Sequence, residues 1–261
     1  MFQVRSRGGD FMFDLPSKEN ACGLFNASHI ISSIICLCLV VLLAFAARRL
    51  SDRGVLTLTR VMAIVLLGLE IVKITFKLVI GEGQYIDHWV PLFYCSLFIY
   101  ALFMCGFGRG VIYKIGCTFL ASGCVISGLI FLVFPTTSLP DYPIYHFISL
   151  HSMLFHSSMV IFGLIYMQRG YIKLNRLSYL YYVIFVSVPL VLSLILNPIF
   201  DANLMMIDNP TNLPVGFIIK IYEAVPFVYT LGACLLYLTV PYFFTKGVLA
   251  LYLAIKNKRK C

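Results

Sequence analysis

Seven long apolar stretches dominate this chain: about His29 to Ala47, Leu58 to Ile80, Trp89 to Phe107, Val111 to Phe134, His146 to Met167, Leu177 to Phe200 and Ile221 to Phe244. A helix rises about 1.5 Å per residue, so ~20 residues cross the ~30 Å hydrocarbon core of a bilayer. Lipid offers no hydrogen-bond partner to a backbone, so each stretch is expected to be helical. The expected fold is all-α, a polytopic membrane bundle of seven transmembrane helices. Composition agrees: 61% of the residues are hydrophobic and 12% charged, where a soluble domain carries about 25% charged.

Lys and Arg in the connections set the orientation. Arg48, Arg49 and Arg53 follow the first span, Arg109 and Lys114 the third, and Arg169, Lys173 and Arg176 the fifth. Lys246, Lys256, Lys258, Arg259 and Lys260 follow the seventh. The alternate connections hold Glu82, Asp87, Asp141, Asp201 and Asp208, with Lys220 as their one basic residue. The expectation is an N-terminus outside and a C-terminus in the cytoplasm. Residues 1–28 read as an extracytoplasmic segment, 29–244 as the transmembrane domain and 245–261 as a basic tail resting on anionic lipid, at ~1 kcal/mol per basic residue. No short apolar region with a small-residue cleavage site precedes the first span, so that span is expected to stay as an anchor. No linker composition or internal repeat divides the chain.

A formal charge of +9 raises the question of nucleic acid. The basic residues lie between apolar runs and not among stacking aromatics on a soluble surface, so no nucleic-acid partner is expected. Most of the nine cysteines sit inside apolar segments, without CxxC or a His/Cys metal spacing, so neither disulfides, metal nor cofactor is expected. GxSxG, HxxxxD, HExxH and GxGxxG patterns are absent.

An ionisable side chain at the centre of a bilayer costs roughly 2.5 to 3.5 kcal/mol, so each one calls for a partner or a role. Glu70, Lys73 and Lys77 share one face of the second span. They read either as a neutralised pair with a snorkelling lysine or as groups in a headgroup cavity. Cys95 lies about six residues, ~9 Å, below the outer interface on the third span. It reads as packing or, with a base beside it, as a nucleophile. His151 and His156 lie ~8 and ~15 Å deep on the fifth span, and a separation of about 140° stops both from facing one partner. Depth favours His151 beside Cys95; either imidazole alternatively bonds within the bundle. Asn197 and Asn203, in Leu196-Asn-Pro-Ile-Phe-Asp-Ala-Asn203, could orient a headgroup or carbonyl, or shape the outer loop. Together with His29, His88, His146 and Glu223 these residues all fall in the outer half, which implies a cavity open outward.

Three ordered blocks carry a resemblance: Pro91-Leu-Phe-Tyr-Cys-Ser-Leu-Phe-Ile-Tyr100, Ser152-Met-Leu-Phe-His-Ser-Ser-Met-Val-Ile-Phe-Gly-Leu-Ile-Tyr166 and Leu196-Asn-Pro-Ile-Phe-Asp-Ala-Asn-Leu-Met-Met206. With Gly23-Leu-Phe-Asn-Ala-Ser-His29, they resemble the YwaF-like bacterial integral membrane proteins, which are similar to the animal transmembrane protein 164 family. Tyr94 before Cys95, and Leu204 after Asn203 where an aromatic is frequent, depart from the pattern. The resemblance implies a phospholipid acyltransferase dependent on Cys95 and His156, and so selects His156 over His151. In that reading His156 takes the Cys95 proton, the thiolate attacks a phospholipid ester, and a lyso-lipid or alcohol collects the acyl group from a thioester. Asn197 or Asn203 would stabilise the oxyanion, and water as acceptor would make the protein a lipase. The partners are then membrane phospholipids, and composition with family likeness suggests a bacterial plasma membrane. The alternatives are a small transporter or sensor using Glu70, Lys73 and a histidine, or a non-catalytic assembly protein.

Overall fold

The computed structural model describes residues 12–13, 19–210, 213 and 215–258. Arg259 and Lys260 of the basic tail, the side chains of Glu82, Lys256 and Lys258, and much of the segment before residue 19 lie outside the described residues. Within them the chain is helical with no strand. Eight α-helices run in order: α1 (Ala27–Ala46), α2 (Asp52–Val79), α3 (Leu97–Phe107), α4 (Gly110–Val133), α5 (Phe147–Arg169), α6 (Arg176–Phe200), α7 (Gly216–Ala224) and α8 (Pro226–Lys258). Six of them are long and apolar enough to cross a membrane, and α3 is a shorter apolar helix. This is a multi-pass membrane bundle.

The helix ends follow local chemistry. Asn26 and Ser51 cap α1 and α2 by accepting from the backbone N–H of His29 and Gly54. Asn175 and Ser178 form a reciprocal capping box on α6. Gly170 ends α5 in the left-handed conformation, at φ 64°, which glycine adopts without penalty.

α4 is the central helix, packed against α3, α5, α6 and α8. About 67% of its apolar window and 78% of that of α5 are buried, against 11% to 28% for α1, α2, α6 and α8. The inner pair is therefore α4 and α5, and the others turn exposed Leu, Ile, Val and Phe outward, as helices in lipid do. Small residues bring the inner helices together. A Cβ on Gly128 would stand 2.6 Å from Val160 Cγ2 and 2.7 Å from the His156 carbonyl oxygen. One on Gly116 would stand 2.9 Å from the Ala101 carbonyl oxygen of α3.

Two of the expected spans differ in detail. Trp89 to Phe107 is helical only from Leu97 onward. Pro91 has no N–H and holds Val90 out of the helical region, and the chain enters α3 through tight i→i+3 bonds: Ser96 N–H to Phe93 O, Leu97 to Tyr94 and Phe98 to Cys95. Irregular backbone at such a depth survives only inside protein. Tyr100 Oη supplies one partner, donating to the Pro91 carbonyl at 3.0 Å. The seventh stretch, expected to start at Ile221, is divided at Val225. Its φ of −148° and ψ of 85° end α7, and Pro226 takes the first position of α8, where its missing N–H is no loss.

Hydrogen bonds group the helix ends. At one end His29 Nε2 donates to Leu132 O at 3.2 Å, Lys77 Nζ donates to Tyr142 Oη at 2.8 Å, and Gly23 N–H meets Leu139 O at 2.8 Å. At the other end Arg169 donates to the carbonyls of Ala47, Arg48 and Leu50 and reaches Asp52. There Arg60 Nε also donates to Gly106 O at 2.7 Å. These ends are called the His29 end and the Arg169 end below.

Candidate functional site

Cys95 stands at the head of a helix and not within one, because the Pro91 segment delays the start of α3. The half-buried thiol lies against the backbone N–H groups of Cys95 and Ser96, at the positive end of an eleven-residue helix. The helix end and these N–H groups offer the sulfur partners that a mid-helix position would lack. The preceding Tyr94 anchors this segment. It is buried, stacks on Tyr237 of α8 with ring centroids 5.0 Å apart, and meets Tyr182 Oη of α6 at 2.7 Å. Tyr182 spends its own hydrogen on the Tyr237 carbonyl at 2.7 Å, so Tyr94 is the donor of the pair. Gly123 makes room for that hydroxyl: a Cβ there would lie 2.8 Å from Tyr94 Oη.

Glu70, 4% exposed on α2, holds Lys73 Nζ on one carboxylate oxygen at 2.5 Å and faces His151 Nε2 of α5 with the other at 3.7 Å. Both ring nitrogens of His151 lack a hydrogen-bond partner among the described residues. Cys95 sits in the electrostatic field of both Lys73 and Glu70. α2, α3 and α5 thus converge on one cluster of thiol, carboxylate, ammonium and imidazole. Lys77 stands apart, bound to Tyr142 and lying over its ring at 5.0 Å.

His156 points elsewhere. Its ring lies flat on Phe131 of α4, centroids 3.5 Å apart at an interplanar angle of 6°. Nδ1 is 2.7 Å from the Ser152 carbonyl oxygen. A carbonyl only accepts, so Nδ1 carries the hydrogen and the lone pair is on Nε2, the arrangement a proton acceptor needs. The two histidines face different helices, in line with their 140° separation, yet each lies in the field of Lys73 and His156 in that of His151. No hydrogen bond joins Cys95 Sγ to either imidazole among the described residues.

Several sequence candidates are engaged elsewhere. Asn197 accepts from Leu204 N–H at 2.8 Å and donates to Leu204 O at 3.2 Å. Asn203 bonds Asp208 and Asn209. Both therefore close the loop after α6 at the His29 end, the loop-shaping alternative. His29 accepts from Phe25 N–H at 2.9 Å on Nδ1, and His146 caps α5 by accepting from Ile148 N–H at 3.1 Å. Among the described residues no group of three or more His, Cys, Asp or Glu side chains could hold a metal ion.

Sequence reasoning did not foresee the helix-head placement of Cys95, although Pro91 was its signal. It also missed the Tyr94–Tyr182 anchor, for which two tyrosines eighty-eight positions apart give none. No curated protein and no solved structure matches the chain. The model of the TMEM164 family matches residues 24–244, from the loop before α1 into α8 and across every residue of the cluster, and the chain belongs to that family.

Proposed function

We propose that the protein transfers acyl chains between membrane lipids through a thioester on Cys95, with His156 as the proton carrier. The observation that carries this reading is a thiol at the N-terminal head of a membrane helix, with backbone N–H groups against its sulfur, in a bundle that also buries an imidazole whose Nε2 lone pair is uncommitted. His156 Nε2 takes the Cys95 proton as Sγ attacks the ester carbonyl carbon. The S–C bond forms, the C–O bond breaks, and the proton passes to the leaving oxygen of the lyso-lipid. In the second half a lyso-lipid hydroxyl gives its proton to Nε2 and attacks the thioester, and the released sulfur regains a proton. Catalytic hydrogen bonds are often long before substrate arrives, so the scheme requires Sγ and Nε2 to come within hydrogen-bond reach once substrate is bound. Asn197 and Asn203 take no part in the chemistry of this scheme and hold the loop after α6. Glu70 and Lys73 form the polar wall beside the thiol, and His151 faces Glu70.

The test is to incubate the purified protein with defined phospholipids and follow acyl exchange, and a hydroxylamine-sensitive acyl group on Cys95, by mass spectrometry. Cys95→Ala abolishes both signals, and His156→Ala lowers exchange at least 100-fold, in the range of a lost acid–base group of about 10²–10⁴. If wild type and both variants give the same spectra, the acyl-transfer reading is wrong. Solute uptake by reconstituted vesicles then becomes the next measurement, for the transporter reading to which the buried Glu70–Lys73 pair lends its support.

A further inference from the structure

Beside the unwound head of α3 lies a furrow of about 380 Å³ between α3, α4 and α6. Its walls are apolar throughout, and Tyr100 contributes only its ring, since its hydroxyl is bound to Pro91. Leu92 and Leu97 border the furrow and flank Cys95 in the chain, while the thiol itself lies outside its lining. On α3 it continues through Tyr100 to Met104, away from the thiol; on the antiparallel α6 it runs from Leu192 to Ile184, and on α4 it reaches Ile115. We propose that this furrow holds one acyl chain of a membrane glycerophospholipid, with the ester at Cys95 and the chain end between Met104, Ile115 and Ile184.

Three observations select that occupant. The furrow opens sideways past Ile184, Val188 and Leu192, which are exposed on a membrane helix and so face hydrocarbon. Its walls offer no polar atom, so a headgroup or polar solute placed there would lose its hydration without replacement, whereas a hydrocarbon chain loses nothing. The nine residues of α6 from Ile184 to Leu192 span ~12 Å, most of one leaflet of roughly 15 Å. A chain anchored by its ester at the Cys95 level fills that length along the membrane normal. The assignment rests on the acyl-transfer reading for its catalytic meaning and on the furrow alone for binding.

Two measurements test it separately. Phosphatidylcholine carrying a diazirine at the chain terminus, photolysed with Cys95→Ala protein in bilayers, gives adducts concentrated on Met104, Ile115 and Ile184. Adducts spread evenly over the outward faces of α1, α2 and α8 overturn the proposal. In exchange assays, Ile184→Trp lowers transfer of long chains relative to short chains by ~10-fold, since overfilling a packed site disfavours whatever must share it; Leu192→Trp, at the mouth, lowers both. An unchanged chain-length ratio in a folded Ile184→Trp protein also counts against the furrow. Concentrated adducts without any Cys95-dependent transfer leave the chain site standing and remove the catalytic reading. Transfer with scattered adducts removes the chain site alone.

Discussion

Glu70 decides the electrostatics of the site more than any other side chain. Its carboxylate is buried against Lys73 and His151, and without it the Lys73 ammonium would face the thiol and both imidazoles unopposed. Removing one partner of a buried pair leaves an uncompensated charge, at a cost of about 3–5 kcal/mol at full burial, whereas replacing both by apolar groups is often neutral. Lys73 is 26% exposed, so its share is smaller. Thermal unfolding in detergent should therefore show Glu70→Leu destabilised by about 2 kcal/mol and Glu70→Leu/Lys73→Leu recovering most of it. A double variant no more stable than the single would show that the pair is not coupled. Tyr94→Phe removes one buried hydroxyl bond, keeps the stack on Tyr237 and costs about 1 kcal/mol. Its sharper signature is local: the Cys95 segment loosens and alkylation of Cys95 accelerates several-fold, while an unchanged rate would show that Tyr94 does not hold it. The Glu70–Lys73 pair was legible in the sequence, because a three-residue spacing on a helix fixes the contact. The facing of His151 toward Glu70 was not, since it depends on the rotation of two helices about their own axes, which no spacing within either one encodes.

Among the elements, α3 and the α4–α5 contact matter most. An apolar window identifies hydrocarbon surroundings but does not distinguish a complete helix from a half-unwound one, so Trp89 to Phe107 read as a full span. The difference moved Cys95 from a helix flank to a helix head, where backbone N–H groups are available, and this changes its chemistry. Small residues on α4 set its close approaches: Gly116 serves α3, Gly123 the Tyr94 hydroxyl, and Gly128 serves α5 beside His156. A methyl at Gly128 would meet the His156 carbonyl, which as helix backbone cannot swing aside. Gly128→Ala should thus cost about 1–3 kcal/mol and lower acyl exchange by displacing His156. Gly68→Ala, on α2 with nothing within 4 Å, should be neutral or stabilising by up to about 1 kcal/mol. Equal effects of the two substitutions on unfolding temperature would refute the packing account.

For the whole molecule, the consequence lies in which leaflet the cluster faces. The hydrogen bonds that tie Lys77 to Tyr142 and His29 to Leu132 gather the ends of α1, α2 and α4 into one layer, and those of Arg169 gather the opposite ends into another. Glu70, Lys73 and Cys95 all lie in the half nearer the His29 end, since α2 approaches that end at Val79 and α3 leaves it at Leu97. The bundle is internally fixed, so a single fact orients everything in it. Arg48, Arg49, Arg53, Lys173 and Arg176 crowd the Arg169 end, so the positive-inside rule predicts a cytoplasmic Arg169 end. In intact cells a membrane-impermeant maleimide should then label a cysteine introduced at Asp141, and should label one at Lys173 only after permeabilisation. The reverse pattern would turn the whole bundle over at once, and Cys95 would draw its ester from the inner leaflet in place of the outer.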